Sequence, residues 1–116
     1  PERGDIIIFK FPDNKKENFV KRVIAKEGDY VEIKSGIVYV NDKKIDESAY
    51  VYYIGGYPDK NDNFERTLVP KDSYFVLGDN RNNSIDSRTI GLIEEKNILG
   101  TVSIRLFPIN KLGKVK

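Results

Sequence analysis

Tyr74-Phe75-Val76-Leu77-Gly78-Asp79-Asn80-Arg81-Asn82-Asn83-Ser84-Ile85-Asp86-Ser87-Arg88 joins an apolar run to eleven residues too polar for a core. The run reads as a strand that ends in a Gly-Asp-Asn turn. Asn and Asp side chains bond to their own main chain and tolerate left-handed backbone. Asp79, Asn80, Asn82 and Asn83 can therefore hold an irregular loop in one shape without helix or sheet. Ser84, Asp86 and Ser87 add hydroxyls and a carboxylate, and Arg81 and Arg88 add planar forks suited to clamping carboxylates or carbonyls. From these residues alone two readings stand: a loop that positions chemistry, or a solvated surface loop with exposed ion pairs.

The chain on either side is punctuated like a β-protein. Upstream, Ile6-Ile7-Ile8-Phe9-Lys10-Phe11 has the composition of a largely buried strand, closed by Pro12. The charged connection Asp13 to Asn18 leads to a second strand, Phe19 to Ala25, which makes a hairpin. Glu27-Gly28-Asp29 turns the chain into Tyr30-Val31-Glu32-Ile33-Lys34, and Ser35-Gly36 is a two-residue hairpin signal before Ile37-Val38-Tyr39-Val40. Asn41-Asp42 turns again into Lys43-Lys44-Ile45. Residues 46–66 read as a flexible excursion: Tyr50 to Ile54 has strand composition, but Gly55-Gly56 and Pro58 to Asn63 do not. Its tyrosines fit a sheet lining better than a binding patch.

Downstream of the loop, Glu94-Glu95-Lys96-Asn97 fits one helical turn, and Thr101 to Phe107 alternates cleanly until Pro108. No helix of ordinary length is expected. The architecture is therefore mostly β, an antiparallel sheet coiled over itself into a partly open barrel.

Composition narrows the chemistry. At 116 residues the chain is one domain with one modest core. Its 20 basic and 18 acidic residues nearly balance, so nothing favours nucleic acid as a partner. A stacking role for Tyr50, Tyr52, Tyr53 and Tyr57 on single strands is the weaker reading for the same reason. No apolar run approaches the roughly 20 residues of a membrane-spanning helix. With no Cys and no His, a thiol nucleophile, a Ser-His-Asp triad and the usual zinc sites are excluded within these residues, and no cofactor is called for. A hydrolytic base must be Lys, Asp or Glu. The absence of Met and the strand that begins just after Pro1 suggest an excerpt from a longer polypeptide.

Lys21 is the candidate base. In a strand it shares a face with Phe19, Val23 and Ala25, interrupting an apolar row. An amine held among apolar groups gives up its proton more readily, which suits a general base. The competing reading is a lysine whose stem packs on the sheet while its head reaches water. Arg22 interrupts the opposite face, between Val20 and Ile24, so periodicity does not choose.

A resemblance does choose. Gly78 to Arg88 resembles the last sequence box of the bacterial type I signal peptidases, membrane-bound serine peptidases that remove signal peptides from exported proteins. Arg3-Gly4-Asp5-Ile6-Ile7-Ile8-Phe9 and Lys21-Arg22-Val23-Ile24-Ala25-Lys26-Glu27-Gly28-Asp29 resemble two further boxes, in the same order. The resemblance implies the family's coiled, mostly-β domain. It implies that Lys21 takes the proton from a nucleophilic serine, and that the Ser84 hydroxyl bonds to the Lys21 amine and orients it. Asp86 and Arg88 match an ion pair that holds the loop, and Asp79 and Arg81 are expected to be structural in the same way. Phe19 and Val20 fall where the family lines its cleft for an extended signal peptide with small residues at −1 and −3. Ala25-Lys26-Glu27 departs from the commoner Gly-Leu-Pro.

The family's nucleophile lies upstream, in a Ser-X-Met-X-Pro box after the membrane anchor, and no Ser in this chain matches it. Residues 1–116 are thus expected to form the peptidase domain without anchor or nucleophile, inactive alone, on the extracytoplasmic side of a bacterial membrane. The alternative is a non-catalytic relative serving assembly of surface structures, against which the retention of Lys21 and Ser84 argues.

Overall fold

The computed structural model describes the backbone of residues 1–11 and 14–103, and the side chains of all of these except Asn14 and Lys15. Among the described residues, nine strands form two sheets in which every strand pairing is antiparallel. The strands are β1 (Ile6–Phe11), β2 (Asn14–Lys26), β3 (Tyr30–Lys34), β4 (Ile37–Val40), β5 (Lys43–Lys44), β6 (Phe64–Leu68), β7 (Ser73–Leu77), β8 (Ile93–Glu94) and β9 (Ile98–Val102). One sheet runs β8-β7-β2-β1-β9 and the other β5-β4-β3-β6, and one of the two curls into a half-barrel. The mostly-β, coiled-sheet expectation holds.

Strand β7 explains how one modest chain keeps two apolar cores. All five of its residues are buried. Phe75 and Leu77 enter a cluster with Ile24, Ala25, Val31, Ile33, Val38, Val40 and Val69. Tyr74 and Val76, pointing the other way, join Ile7, Phe9, Val23 and Ile93. Each fully buried Phe, Leu or Val contributes about 1.5–3 kcal/mol, so this strand anchors both layers at once.

β2 also serves both cores, through a defect. Its register with β7 shifts between Val23 and Ala25, a β-bulge, and Val23, Ile24 and Ala25 are consecutively buried. The expected single face of Phe19, Lys21, Val23 and Ala25 is therefore broken: Val23 packs in one cluster, Ile24 and Ala25 in the other. Strict alternation fails because the extra residue turns the following side chain over.

The turns follow the residues. Lys34 pairs with Ile37 across Ser35-Gly36, whose φ angles are 50° and 81°. Val40 pairs with Lys43 across Asn41-Asp42, at 54° and 67°. Both are the mirror-image turns that match strand twist.

Three expectations are corrected. Residues 14–18 belong to β2 and not to a connection, and Pro12 and Asp13 lie outside the described residues. Tyr50 to Ile54 is not a strand: Tyr52 makes an isolated parallel bridge with Asn80, and a single 3-10 turn follows at Ile54–Gly56. The polar loop is not wholly irregular, since Ser87–Ile90 forms one α-helical turn, α1, capped by Asp86. The expected turn at Glu94 to Asn97 is present as a 3-10 turn, Glu95–Asn97. Of the expected last strand, Thr101 and Val102 end β9, and Ile104 to Pro108 lie outside the described residues.

Candidate active site

The three motif stretches converge on Arg22. Its Nε and Nη2 donate to the two carboxylate oxygens of Asp79, each at 2.9 Å, and its Nη1 donates to the Gly4 carbonyl at 2.9 Å. The Tyr50 ring lies under the guanidinium, 4.1 Å from ring centre to carbon. Buried in this cage, Arg22 ties β2 to the polar loop one residue after Lys21. The sequence showed Arg22 only as a charge on the wrong face of a strand; its partner is 57 positions away.

The loop is clamped by its own arginines, as their fork geometry allows. Asp86, fully buried, accepts the Gly78 N–H at 3.0 Å and the Arg88 Nε and Nη2 at 2.9 and 2.7 Å. Burial pushes the Asp86 carboxyl up. The hydrogen bonds from Arg88 and Gly78 and the Arg88 charge outweigh it, leaving the group below the usual carboxylate range. Burial works against the Arg88 charge too, but Asp86 and Asp62 more than compensate and raise its proton affinity. Arg88 also reaches the Arg81 carbonyl at 2.9 Å, and Ser87 accepts the Val76 N–H at 2.9 Å.

Gly78 is the hub. A Cβ placed on it would stand 2.0 Å from Ser84 Oγ and 3.6 Å from Lys21 Nζ, so both groups close on the same side of this residue. Only glycine leaves room there. Lys21 is half-buried and has no ion-pair partner among the described residues. Ser84 Oγ is buried and has no hydrogen-bond partner among the described residues, so the expected Ser84–Lys21 hydrogen bond is not formed. Catalytic hydrogen bonds are often long or poorly aligned in a free enzyme and tighten only when substrate is bound. Asn80 Oδ1, on the wall of the same cleft, is likewise buried and unpartnered.

Two open clefts adjoin at this point. One, about 230 Å³, is lined by Ile6, Val20, Lys21, Gly78, Asn80 and Ser84 among others, and the second, about 340 Å³, by Asn18, Phe19, Val20, Lys21, Ser84 and Ile85 among others. A larger cavity of about 470 Å³ against Ile37, Val38, Ile45 and Val51 is lined by none of the residues with unpartnered buried polar atoms, so the smaller pair is the candidate site.

A free strand edge runs along them. The Val23 N–H donates to Asp5 and its carbonyl accepts from Gly4, both at 2.8 Å, so Val23 addresses the β1 side. By alternation Lys21 and Phe19 address β1, while the main-chain groups of Val20 and Asn18 point the opposite way. β7 pairs with β2 only from Arg22 onward. Among the described residues, then, no strand covers Val20 and Asn18 on that side. Val20 is 57% exposed; Phe19 is half-buried, packs against Phe9 with ring centres 5.6 Å apart and planes tilted by 48°, and lines the second cleft.

Sequence reasoning missed Arg22, Glu47, Tyr50 and Asp62. Glu47 receives the Arg81 guanidinium in two contacts, and Asp62 accepts from Arg88 at 2.7 Å. Both acids sit in the segment read as a flexible excursion, where nothing local marks them. Tyr50 packs on Arg22 of β2; its hydroxyl is pushed to higher proton affinity by burial and the neighbouring Glu47 charge.

Fold and site together define a mostly-β protein with an amine and a hydroxyl at one glycine, beside a strand edge open to an extended chain. The family model described as signal peptidase, peptidase S26, matches residues 1–107. A probable signal peptidase I-2 of Synechocystis is 40% identical over 97% of this chain and 51% of its own length. Signal peptidase IB of Staphylococcus aureus is 42% identical over 95% of this chain and 63% of its own. The crystal structure of a signal peptidase I from Enterococcus faecalis superposes with a TM-score of 0.71 at 31% identity, covering 89% of this chain and 97% of that one. The chain belongs to the signal peptidase S26 family. It spans between about half and 63% of the length of these curated relatives. No helix among the described residues is long and apolar enough to cross a membrane.

Proposed function

We propose that the full-length protein is a serine endopeptidase that removes signal peptides from exported preproteins at the extracytoplasmic face of a bacterial membrane. The anchor and the nucleophilic serine belong to sequence outside these 116 residues. In this reading Lys21, as free amine, takes the proton from the serine hydroxyl as its oxygen bonds to the scissile carbonyl carbon. The lysine then returns the proton to the departing amine, leaving an ester. Lys21 next takes a proton from water, whose oxygen attacks the ester and releases the serine with its proton restored. Ser84 orients the lysine head and is not consumed.

The observation that carries this reading is the closure of Ser84 Oγ and Lys21 Nζ on one side of Gly78. The uncovered groups of Val20 and Asn18 support strand addition by the substrate, and the shallow walls of the clefts suit small residues at −1 and −3. The test is cleavage of a purified preprotein by the full-length protein. Release of the signal peptide at one bond, suppressed when Ala at −1 is replaced by Leu, is the expected outcome. Failure to cleave any preprotein, or indifference to the −1 residue, overturns the reading.

A further inference from the structure

The loop bearing Ser84 is also held from outside the three motif stretches. Glu47, between β5 and β6, is 7% exposed and faces Arg81, itself 5% exposed. Arg81 Nη1 donates to Glu47 Oε1 at 2.8 Å, and Nη2 to Oε2 more closely still. The third arm of the same fork, Arg81 Nε, donates to the Gly78 carbonyl at 2.9 Å, while Asp86 takes the Gly78 N–H at 3.0 Å. Both polar groups of Gly78 are thereby gripped, and this is the residue on which Ser84 and Lys21 close. The segment around Glu47 is docked on the loop by main-chain bonds too: Tyr52 N–H to Asp79 carbonyl at 2.7 Å and Arg81 N–H to Tyr52 carbonyl at 3.0 Å.

We propose that Glu47 is a positioning residue of the Lys21–Ser84 site, acting through Arg81 on the Gly78 carbonyl. The proposal rests on the peptidase reading and deepens it. A planar guanidinium held on one side by a bidentate carboxylate has its remaining N–H aimed by that pairing. Losing the carboxylate frees the fork to rotate, so the Gly78 carbonyl loses its donor and the wall between Lys21 and Ser84 shifts. Misplacement of a catalytic group by about 1 Å costs on the order of a hundredfold in rate. The competing role is that of a buried counter-charge that merely keeps Arg81 folded in.

A double-mutant cycle in the full-length protein separates the two. Cleavage of a preprotein is measured for wild type, Glu47→Gln, Ser84→Ala and the double variant, each well below its own melting temperature. Glu47→Gln is expected to lower kcat between about ten- and a hundredfold with little change in KM, and the double variant to be no slower than Ser84→Ala alone, because both changes act through one group. Effects that multiply, or a Glu47→Gln variant that loses only thermal stability, overturn the proposal. Should Glu47→Gln fail to fold, Glu47→Asp, which keeps the charge but reaches Arg81 less well, is run in the same cycle under the same criteria. A wild-type protein that cleaves no preprotein removes the peptidase reading, and this proposal with it; that result is separate from an active wild type with multiplying effects.

Discussion

Gly78 shows how one missing side chain makes a site. Any larger residue would drive its Cβ to 2.0 Å from Ser84 Oγ and 2.5 Å from Ser84 Cβ. Gly78→Ala is expected to displace Ser84, to cost about 1–3 kcal/mol through overpacking, and to cut the cleavage rate of the full-length protein far more than its stability. Steady-state kinetics beside urea unfolding checks both halves. Arg22 is the other single residue on which much depends. Asp79→Ala leaves its guanidinium buried without a carboxylate, which costs about 3 kcal/mol or more where partners are fully enclosed. Because Asp79 keeps 37% of its side chain in water, a value toward or below that lower bound is expected from the urea midpoint.

Asp86 gives a pH dependence whose sign is fixed. Its carboxyl holds a proton less firmly in the folded chain than in the unfolded one, where it titrates near 4. The unfolded state thus binds more protons over the acid range, so the contribution is complete above about pH 4 and is lost as pH falls through the lower folded value. Urea midpoints from about pH 7 to about pH 2 should fall less steeply for Asp86→Asn than for wild type, from a lower starting stability.

At the scale of elements, the hairpins were legible because their chemistry is local. Ser35-Gly36 and Asn41-Asp42 each take positive φ at both positions, which Gly36, Asn41 and Asp42 adopt at little cost. At Gly36 there is a second constraint: a Cβ would meet Pro58 Cβ at 2.7 Å and the Asp59 carbonyl at 2.8 Å. Gly36→Ala is therefore expected to lower stability by about 1–3 kcal/mol, measurable as a drop in melting temperature, by loosening both the hairpin tip and the segment packed on it.

The β2 bulge was not legible, since Val23-Ile24-Ala25 carries the same apolar residues whether the strand alternates or not. The α1 turn had a signal, Asp86 as cap before Ser87-Arg88-Thr89, but four residues are too few for periodicity to register. Partners for Arg22, Arg81 and Arg88 lie 57, 34 and 26 positions away. No pattern along the chain links them; only the sheet topology does.

For the molecule as a whole, the two apolar clusters share β7 and the bulged β2, which are neighbours in one sheet, and the polar loop follows β7 directly. That placement puts hydroxyl, amine and free strand edge on one rim. The choice of Lys21 as candidate rests on the resemblance of three stretches and not on periodicity: Arg22 on the other face is the more enclosed of the two and is held by Asp79 and Gly4, while Lys21 has no ion-pair partner among the described residues. Charge alone cannot reveal which of two neighbouring cations has an ion-pair partner in the fold.

The most direct measurement is preprotein cleavage by the full-length protein carrying Lys21→Ala, with the fold checked by circular dichroism. The account predicts native secondary structure and a kcat reduced by about 10²–10⁴-fold or more, the size of a general base's contribution. A folded Lys21→Ala variant that cleaves at the wild-type rate would contradict it.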